Sequence, residues 1–518
     1  MTTTRIRHAF RAVSRPASRL LIFIPLAVLS AILSTWDSGS RAETIRTPRS
    51  GSANLDSIGR VTIAWATHTD PSAVEPAVID RLIVEVARLA ASDAIEDAEL
   101  GISTALEGDT LVVGADIAGY PVNLMGQAYI YDQNATDPGN LAESAILRAS
   151  DFASGDRFGI SVAISGDVVV VGAYREEETP ATHDYGAAYV FERNAGGSGN
   201  WGQVKKLTSA FREDFDQFGI SVAVSGDTVV VGSFLDNNSP AGTLANSGAA
   251  YVYERDSGGI GNWGEVKKLT AGDAQELDFF GISVAIEADT IAVGATGEDG
   301  GPGNPYPDSG SVYVFGRDWG GTDNWGEVRK LQAGDPHSGD RLGNALAIDG
   351  ETLVAGAYFE GGVFGDPLFQ SGAAYLFERD EGGLNNWGQI AKLKAGDPEG
   401  YDRFGTSVAV DGDAVVVGAP NKDGNVDTGD DSGAVYVFLR DQGGADQWGE
   451  ADKLAASDGQ AGDRFGVSVA VSGSTLAAGA YLEDGGEGDP LANSGAVYVY
   501  EGVSVIFTEF LFIPIATR

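Results

Sequence analysis

Without a single cysteine among its 518 residues, the chain can form neither a disulfide framework nor a thiolate metal site, so its stability must come from packing. Histidine is also scarce. Only His183 and His337 fall in the patterned part of the chain, and neither has a catalytic or metal-ligating partner at a telling spacing. No nucleophile elbow or metalloprotease motif occurs. Basic residues are few: 34 Lys and Arg stand against 74 Asp and Glu, a formal net charge of −40. That balance argues against nucleic acid or an anionic membrane as a partner gathered by long-range attraction, and fits a well-solvated exported surface.

Near the N-terminus, Arg5, Arg7, Arg11, Arg15 and Arg19 precede an apolar run of 14 residues, 20–33, and then the small-x-small triplet Ser40-Arg41-Ala42. The run is short of the roughly 20 residues a membrane-spanning helix needs. Residues 1–42 therefore read as a cleaved export signal, and the mature chain as secreted, cell-surface or periplasmic, with no transmembrane span. Removing them takes away six arginines and one aspartate and leaves a formal charge of −45.

Glycine, by contrast, is abundant, at 72 residues or about twice ordinary usage. Gly101, Gly159, Gly219, Gly281, Gly343, Gly405 and Gly466 follow one another at 58, 60, 62, 62, 62 and 61 residues. Each opens the same unit of four short strands. In the second copy a strand through Ile160 and Val162 meets the turn Ser165-Gly166-Asp167, then the all-apolar Val168-Val169-Val170-Val171, an arrangement that predicts a hairpin. After a variable loop comes an aromatic third strand, Tyr189-Val190-Phe191, repeated from Tyr129-Ile130-Tyr131 to Tyr498-Val499-Tyr500. A Gly-Gly turn and Asn-Trp-Gly then lead into a fourth strand such as Val266-Lys267-Lys268-Leu269.

The apolar second strand suits a position covered on both faces, and the lysine-bearing fourth suits the outer edge, so each copy runs from the centre outward. A lone four-stranded sheet cannot cover both its faces, whereas stacked copies can. The expected fold is all-β: a seven-bladed β-propeller of four-stranded antiparallel blades, closed by an N-terminal strand. The closure follows from an unpartnered match, Val84-Glu85-Val86-Ala87-Arg88-Leu89, ahead of the first copy, while the seventh copy ends at Tyr500 without a fourth strand. The apolar segment 503–513 competes for the same edge. Organisation is thus signal 1–42, linker 43–80 with one strand around 61–66, propeller 81–501 and tail 502–518.

Phe158-Gly159 with Gly172-Ala173, Phe218-Gly219 with Gly232-Ser233, Phe280-Gly281 with Gly294-Ala295, Phe404-Gly405 with Gly418-Ala419-Pro420 and Phe465-Gly466 with Gly479-Ala480 resemble FG-GAP repeats. These are the units of the integrin α-subunit propeller and of many exported bacterial proteins; Leu100-Gly101 and Leu342-Gly343 depart only in the aromatic. The resemblance implies an extracellular, non-catalytic propeller for adhesion or ligand recognition. Many such repeats carry a calcium loop between the first two strands, but here that turn is too short to wrap an ion, and no family ligands carry over to it.

Strand direction places the second-to-third loops and the blade-to-blade connections together on one face, here called face one, and only hairpin turns on face two. The loops 174–185, 234–247, 296–309, 358–371, 421–432 and 481–494 vary on a constant scaffold, which marks a recognition face or relaxed solvent loops. They hold Glu176, Glu177, Glu178, Asp236, Glu298, Asp299, Asp366, Glu483, Asp484, Glu487 and Asp489, a set suited to hard cations or a basic partner. Asp423, Asn425, Asp427 and Asp431 place oxygens at positions one, three, five and nine of a calcium-like loop, with glycine at seven rather than six. A further aspartate precedes the opening motif in six copies, at Asp156, Asp216, Asp278, Asp340, Asp402 and Asp463. These read either as a cation-gathering ring or as turn-bonding side chains. The functional expectation is a monomeric binding module for a protein or glycan ligand; a propeller-based lyase or glycoside hydrolase and a structural envelope component are the alternatives.

Overall fold

The computed structural model describes residues 83–118, 125–134, 137–177, 184–237, 244–300, 305–362, 365–423, 430–484 and 491–503. The expected export signal, the linker with its strand at 61–66, and the tail beyond Val503 lie outside the described residues. Seven four-stranded antiparallel sheets form the seven blades of a propeller, each in sequence order from its inner strand to its outer one. Blade three is representative, with Ser221–Ser225, Thr228–Ser233, Ala249–Glu254 and Gly264–Leu269 paired in turn. Inner strands of successive blades touch all the way round, that of blade one against that of blade seven included. No described helix is long and apolar enough to cross a membrane.

Burial follows strand position, as the sequence pattern anticipates. Second strands such as Val168–Ala173 are buried throughout, while the outer Gly264–Leu269 is buried only at its final leucine. The core is not at the centre of any blade. Seven hydrophobic clusters each straddle one seam: Val112, Ile130 and Leu147 of blade one, for example, pack on Phe158, Val171 and Tyr189 of blade two. A blade alone would leave half of such a cluster in water, so stability belongs to the ring.

Two further ties join neighbours. Near the axis, Ser103 Oγ donates to Gly159 O of the next blade at 2.8 Å, and Ser161, Ser221, Ser283, Ser407 and Ser468 repeat the bond, the last of them onto Gly101 O at 2.7 Å. Asn344 serves in blade five through its Nδ2, at 3.1 Å from Gly405 O. On the outer rim of face two, Arg255, Arg317 and Arg440 lie over Trp263, Trp325 and Trp448 and pair with Glu192, Glu254 and Glu378 of the preceding blade. The recurrent tryptophan is thus the platform for an interblade arginine.

The seventh blade is built from both ends of the repeat region. Val84–Leu89 pairs antiparallel with Ala496–Glu501, setting Arg88 opposite Tyr498 and Leu89 opposite Val497. One expectation needs correction: the fourth-strand lysines are not simply a solvated edge. Lys206, Lys268, Lys330 and Lys392 are largely covered and engaged in ion pairs with face-one carboxylates.

Candidate ligand-binding face

Each blade-to-blade connection lies along the end of the preceding second-to-third loop. Leu277, Phe279 and Phe280 donate their N–H groups to the carbonyls of Ala245, Asn246 and Ser247, and Tyr401, Arg403 and Phe404 to those of Phe369, Gln370 and Ser371. The two kinds of loop therefore share face one, and each variable loop is clamped at its C-terminal base. Sequence reading had assigned the face but not the clamp. Its signal was the glycine that precedes each third strand, as Ser-Gly in five of the seven copies, beside the recurrent Phe-Gly.

Four of the eleven acidic residues expected to greet a cation are spent inside the fold. Glu176, Asp236, Glu298 and Glu483 are buried, and meet Lys206 at 2.6 Å, Lys268 at 2.9 Å, Lys330 at 2.6 Å and Arg88 respectively. Glu360, which the sequence reading passed over, sits 2.8 Å from Lys392 in the same way. Blade six inverts the pattern. There Lys422, 2% exposed, takes the acid's place and meets Glu399 at 2.8 Å and Asp402 at 3.3 Å. Burial works against its ammonium, but these neighbours with Asp397 outweigh it and hold its pKa above the ordinary value. Blade one has neither charge, with Ala118 and Ile146 at the two positions. Among the more exposed acids, Asp299, Asp366 and Asp484 accept backbone N–H groups of their own loops. Glu178, Glu487 and Asp489 lie outside the described residues.

The six recurrent aspartates turn inward. Each is buried and accepts the N–H three residues earlier, from Ala153 onto Asp156 at 2.6 Å to Gln460 onto Asp463 at 2.6 Å. These bonds accord with the turn-bonding reading, and Ala98 fills the position in blade one. Burial pushes Asp156, Asp278, Asp340, Asp402 and Asp463 up to about 6 and Asp216 up to about 7. Asp151, Asp273, Asp335 and Asp397 are also opposed by burial, but lysine and tyrosine hydrogen bonds hold them below the ordinary carboxylate value.

The sign of the pH dependence follows. The six raised groups bind protons more tightly folded than unfolded, so stability falls as pH climbs through their folded values; the four lowered groups lose their contribution only as pH drops below the ordinary carboxylate value. Self-repulsion from the net charge acts in the same direction as the six. The melting midpoint is expected to be several degrees higher at about pH 5 than at about pH 7.5, and to fall again below about pH 4. A midpoint that rises steadily from the acidic to the neutral condition would contradict this.

Of the calcium-like set, Asp423 Oδ1 accepts the N–H of Asp431 at 3.3 Å. The Asp431 carboxylate is itself held by Arg464 at 3.0 Å and by Asn421 Nδ2 at 3.2 Å. Asn425 and Asp427 lie outside the described residues. As placed, Asp431 serves an ion pair, and an incoming cation would compete with a guanidinium for it. Among the described residues no group of three or more His, Asp or Glu is arranged to hold a metal.

What face one does offer is aromatic and guanidinium surface. The residue before each buried aspartate has a left-handed backbone, and three copies place glycine there: Gly155, Gly339 and Gly462. Phe215, Leu277 and Tyr401 occupy the same position at φ of +71°, +69° and +72°, and are 52%, 51% and 51% exposed. A bulky side chain in that conformation is strained, and half exposure returns less to folding than full burial would. The residue after the aspartate is Arg157, Arg341, Arg403 or Arg464 in four copies, again left-handed. Two open clefts of about 240 and 450 Å³ lie instead along the face-two seams, one walled by Arg317, Trp319, Arg379 and Trp387 and the other by Glu254, Arg255 and Arg317.

A family model described as FG-GAP repeat matches residues 83–131, 141–191, 201–253, 263–315, 325–377, 387–438 and 448–500. No curated protein matches the chain. Among solved structures it is similar to the WD40 domain of Neurospora crassa Pan2, at 10% identity and a TM-score of 0.44, over 82% of this chain and 98% of that one.

Proposed function

The chain belongs to the FG-GAP repeat family, and on that premise we propose that it is an exported, non-catalytic binding or adhesion propeller that recognises a protein or glycan ligand through face one. The observation that carries this reading is the division of labour between the two faces. Face two consists of tight turns and interblade arginine–tryptophan stacks repeated with little change. Face one presents loops of differing sequence on clamped bases, together with strained and exposed Phe215, Leu277 and Tyr401. Side chains kept at a cost to the fold are expected where a partner is met.

An enzyme would need acid–base groups held ready, and the candidates point elsewhere. His337 is largely exposed, 3.8 Å from Asp340, and the buried carboxylates are committed to lysines, arginine or backbone N–H groups. Calcium at Asp423, Asn425, Asp427 and Asp431 is a further proposal for one loop. Its signature would be a rise in melting midpoint with calcium over chelator, enlarged in Arg464→Met, which frees Asp431.

The test is a protein and glycan array probed with the mature chain. Hits are expected to weaken when loop 358–371 or 421–432 is shortened, and to survive substitution of the face-two turn residues Asp167 and Asp227. Binding that is lost from face two and kept after loop shortening would reverse the assignment.

A further inference from the structure

Resting on the binding reading above, we propose that the junction of blades five and six on face one is a site for a uronate, the carboxylated sugar of an acidic glycan, with Arg341 and Arg403 taking the carboxylate and aromatic rings taking the sugar. Two guanidinium groups are held against one ring: the Cζ atoms of Arg341 and Arg403 lie 5.0 and 5.4 Å from the Phe359 centroid. They are therefore no more than about 10 Å apart.

Among the described residues neither arginine forms an ion pair, although the chain carries 74 acids and Arg88, Arg157, Arg255, Arg317, Arg440 and Arg464 are all paired. Arg341 donates to the Tyr358 hydroxyl at 3.1 Å. The Nε of Arg403 is buried with no hydrogen-bond partner, as are those of Arg88, Arg379, Arg440 and Arg464, so it is the absence of an ion pair that distinguishes Arg403 from Arg88, Arg440 and Arg464. Two like charges gathered at one ring and in no ion pair form a positive spot on a strongly negative molecule. Such a spot attracts a carboxylate at short range, and the planar guanidinium fork matches its two oxygens.

A second aromatic pair belongs to the same two loops. Two residues before Arg403, Tyr401 meets Phe369 edge-on at 5.5 Å, and Tyr401 is the half-exposed residue at φ +72° where three sister copies have glycine. Flat, rigid ring faces complement the C–H face of a pyranose at small entropic cost. An acidic peptide is the weaker match. It offers no pyranose face to the rings, which leaves it the carboxylate contacts alone.

Blade five departs from its sisters where the site stands. Blade one also has a leucine for the opening phenylalanine, but only in blade five does an asparagine, Asn344, stand in for the axial serine, and its Oδ1 accepts the N–H of Tyr358 at 3.3 Å. One copy altered locally within a conserved ring is what a site grafted on a repeat scaffold requires.

Calorimetric titration of the full chain with oligogalacturonate, an oligomer of galactose and a polyglutamate peptide tests the proposal. Oligogalacturonate is expected to bind best, and R341Q/R403Q to lose about tenfold or more in affinity with an unchanged melting midpoint. Tyr401→Gly should weaken binding while raising the midpoint, because it relieves the left-handed strain; a merely structural tyrosine would not divide the two readouts this way. No binding of oligogalacturonate, equal binding of polyglutamate, or full affinity in R341Q/R403Q would each overturn the site. A different array ligand that depends on loop 421–432 and ignores both arginines would sink this inference and leave the binding reading intact. An array with no hit would remove both.

Discussion

Gly232→Ala is expected to cost about 3 kcal/mol or more of stability and to break the cooperativity of the ring, because the side chain it adds has nowhere to go. A Cβ on Gly232 would fall 2.0 Å from the carbonyl oxygen of Gly281 in the next blade and 2.2 Å from Ser221 Oγ. Both neighbours are fixed. Ser221 Oγ donates to that same carbonyl at 3.0 Å, and the N–H of Gly219 donates to Gly232 O at 2.9 Å. Relief would mean separating two blades at the axis, with loss of the interblade bond and of packing around Val230 and Phe280. Gly226→Ala is the control. It sits at a hairpin turn with φ +55° and nothing within 4 Å of an added Cβ, so only backbone strain of about 1 kcal/mol is expected. Chemical denaturation of both variants decides the matter: equal midpoints would show that the blades are not locked where the geometry puts the lock.

Arg88→Ile should destabilise by about 3–5 kcal/mol, as breaking a buried ion pair commonly does. Arg88 comes from the N-terminal strand and meets Glu483, whose side chain is 0% exposed, as well as Asp458 at 3.2 Å. Without the guanidinium the buried Glu483 carboxylate has to stay charged near Asp463 or take up a proton. Blade one provides the compensated state: Ile146 pairs opposite Tyr129 as Arg88 does opposite Tyr498, and Ala118 stands at the acid's position. Arg88→Ile combined with Glu483→Ala is therefore expected to recover most of the loss, since an apolar pair of similar shape can replace a buried ionic one at little cost. A double variant as weak as the single one would mean that Arg88 acts through strand pairing and not through Glu483.

Much of this molecule was readable beforehand, and the limits of that reading have physical causes. Repeat count, strand order and the shared face of loops and connections followed from periodicity, because each copy restates one hydrophobic pattern and one polarity per strand. That four of the loop acids are buried was not legible, for the opposite reason. Glu298 and Lys330 lie 32 positions apart, and nothing along the chain says that a loop acid turns inward onto a lysine two strands away. The arginines of blades five and six escaped notice as members of a repeated Asp-Arg pair; only their common contact with Phe359 sets Arg341 and Arg403 apart from Arg157 and Arg464.

Sequence alone determined that the chain folds as seven stacked, centre-outward sheets, since alternation, turn glycines and recurrence are local properties that survive without any knowledge of distance. Tertiary structure decided which charges are buried and paired, which glycines face a neighbouring carbonyl, and which two cations share a ring. Those outcomes depend on the few ångströms between residues brought together from different blades, a spacing that closure of the ring sets and that no stretch of the chain encodes by itself.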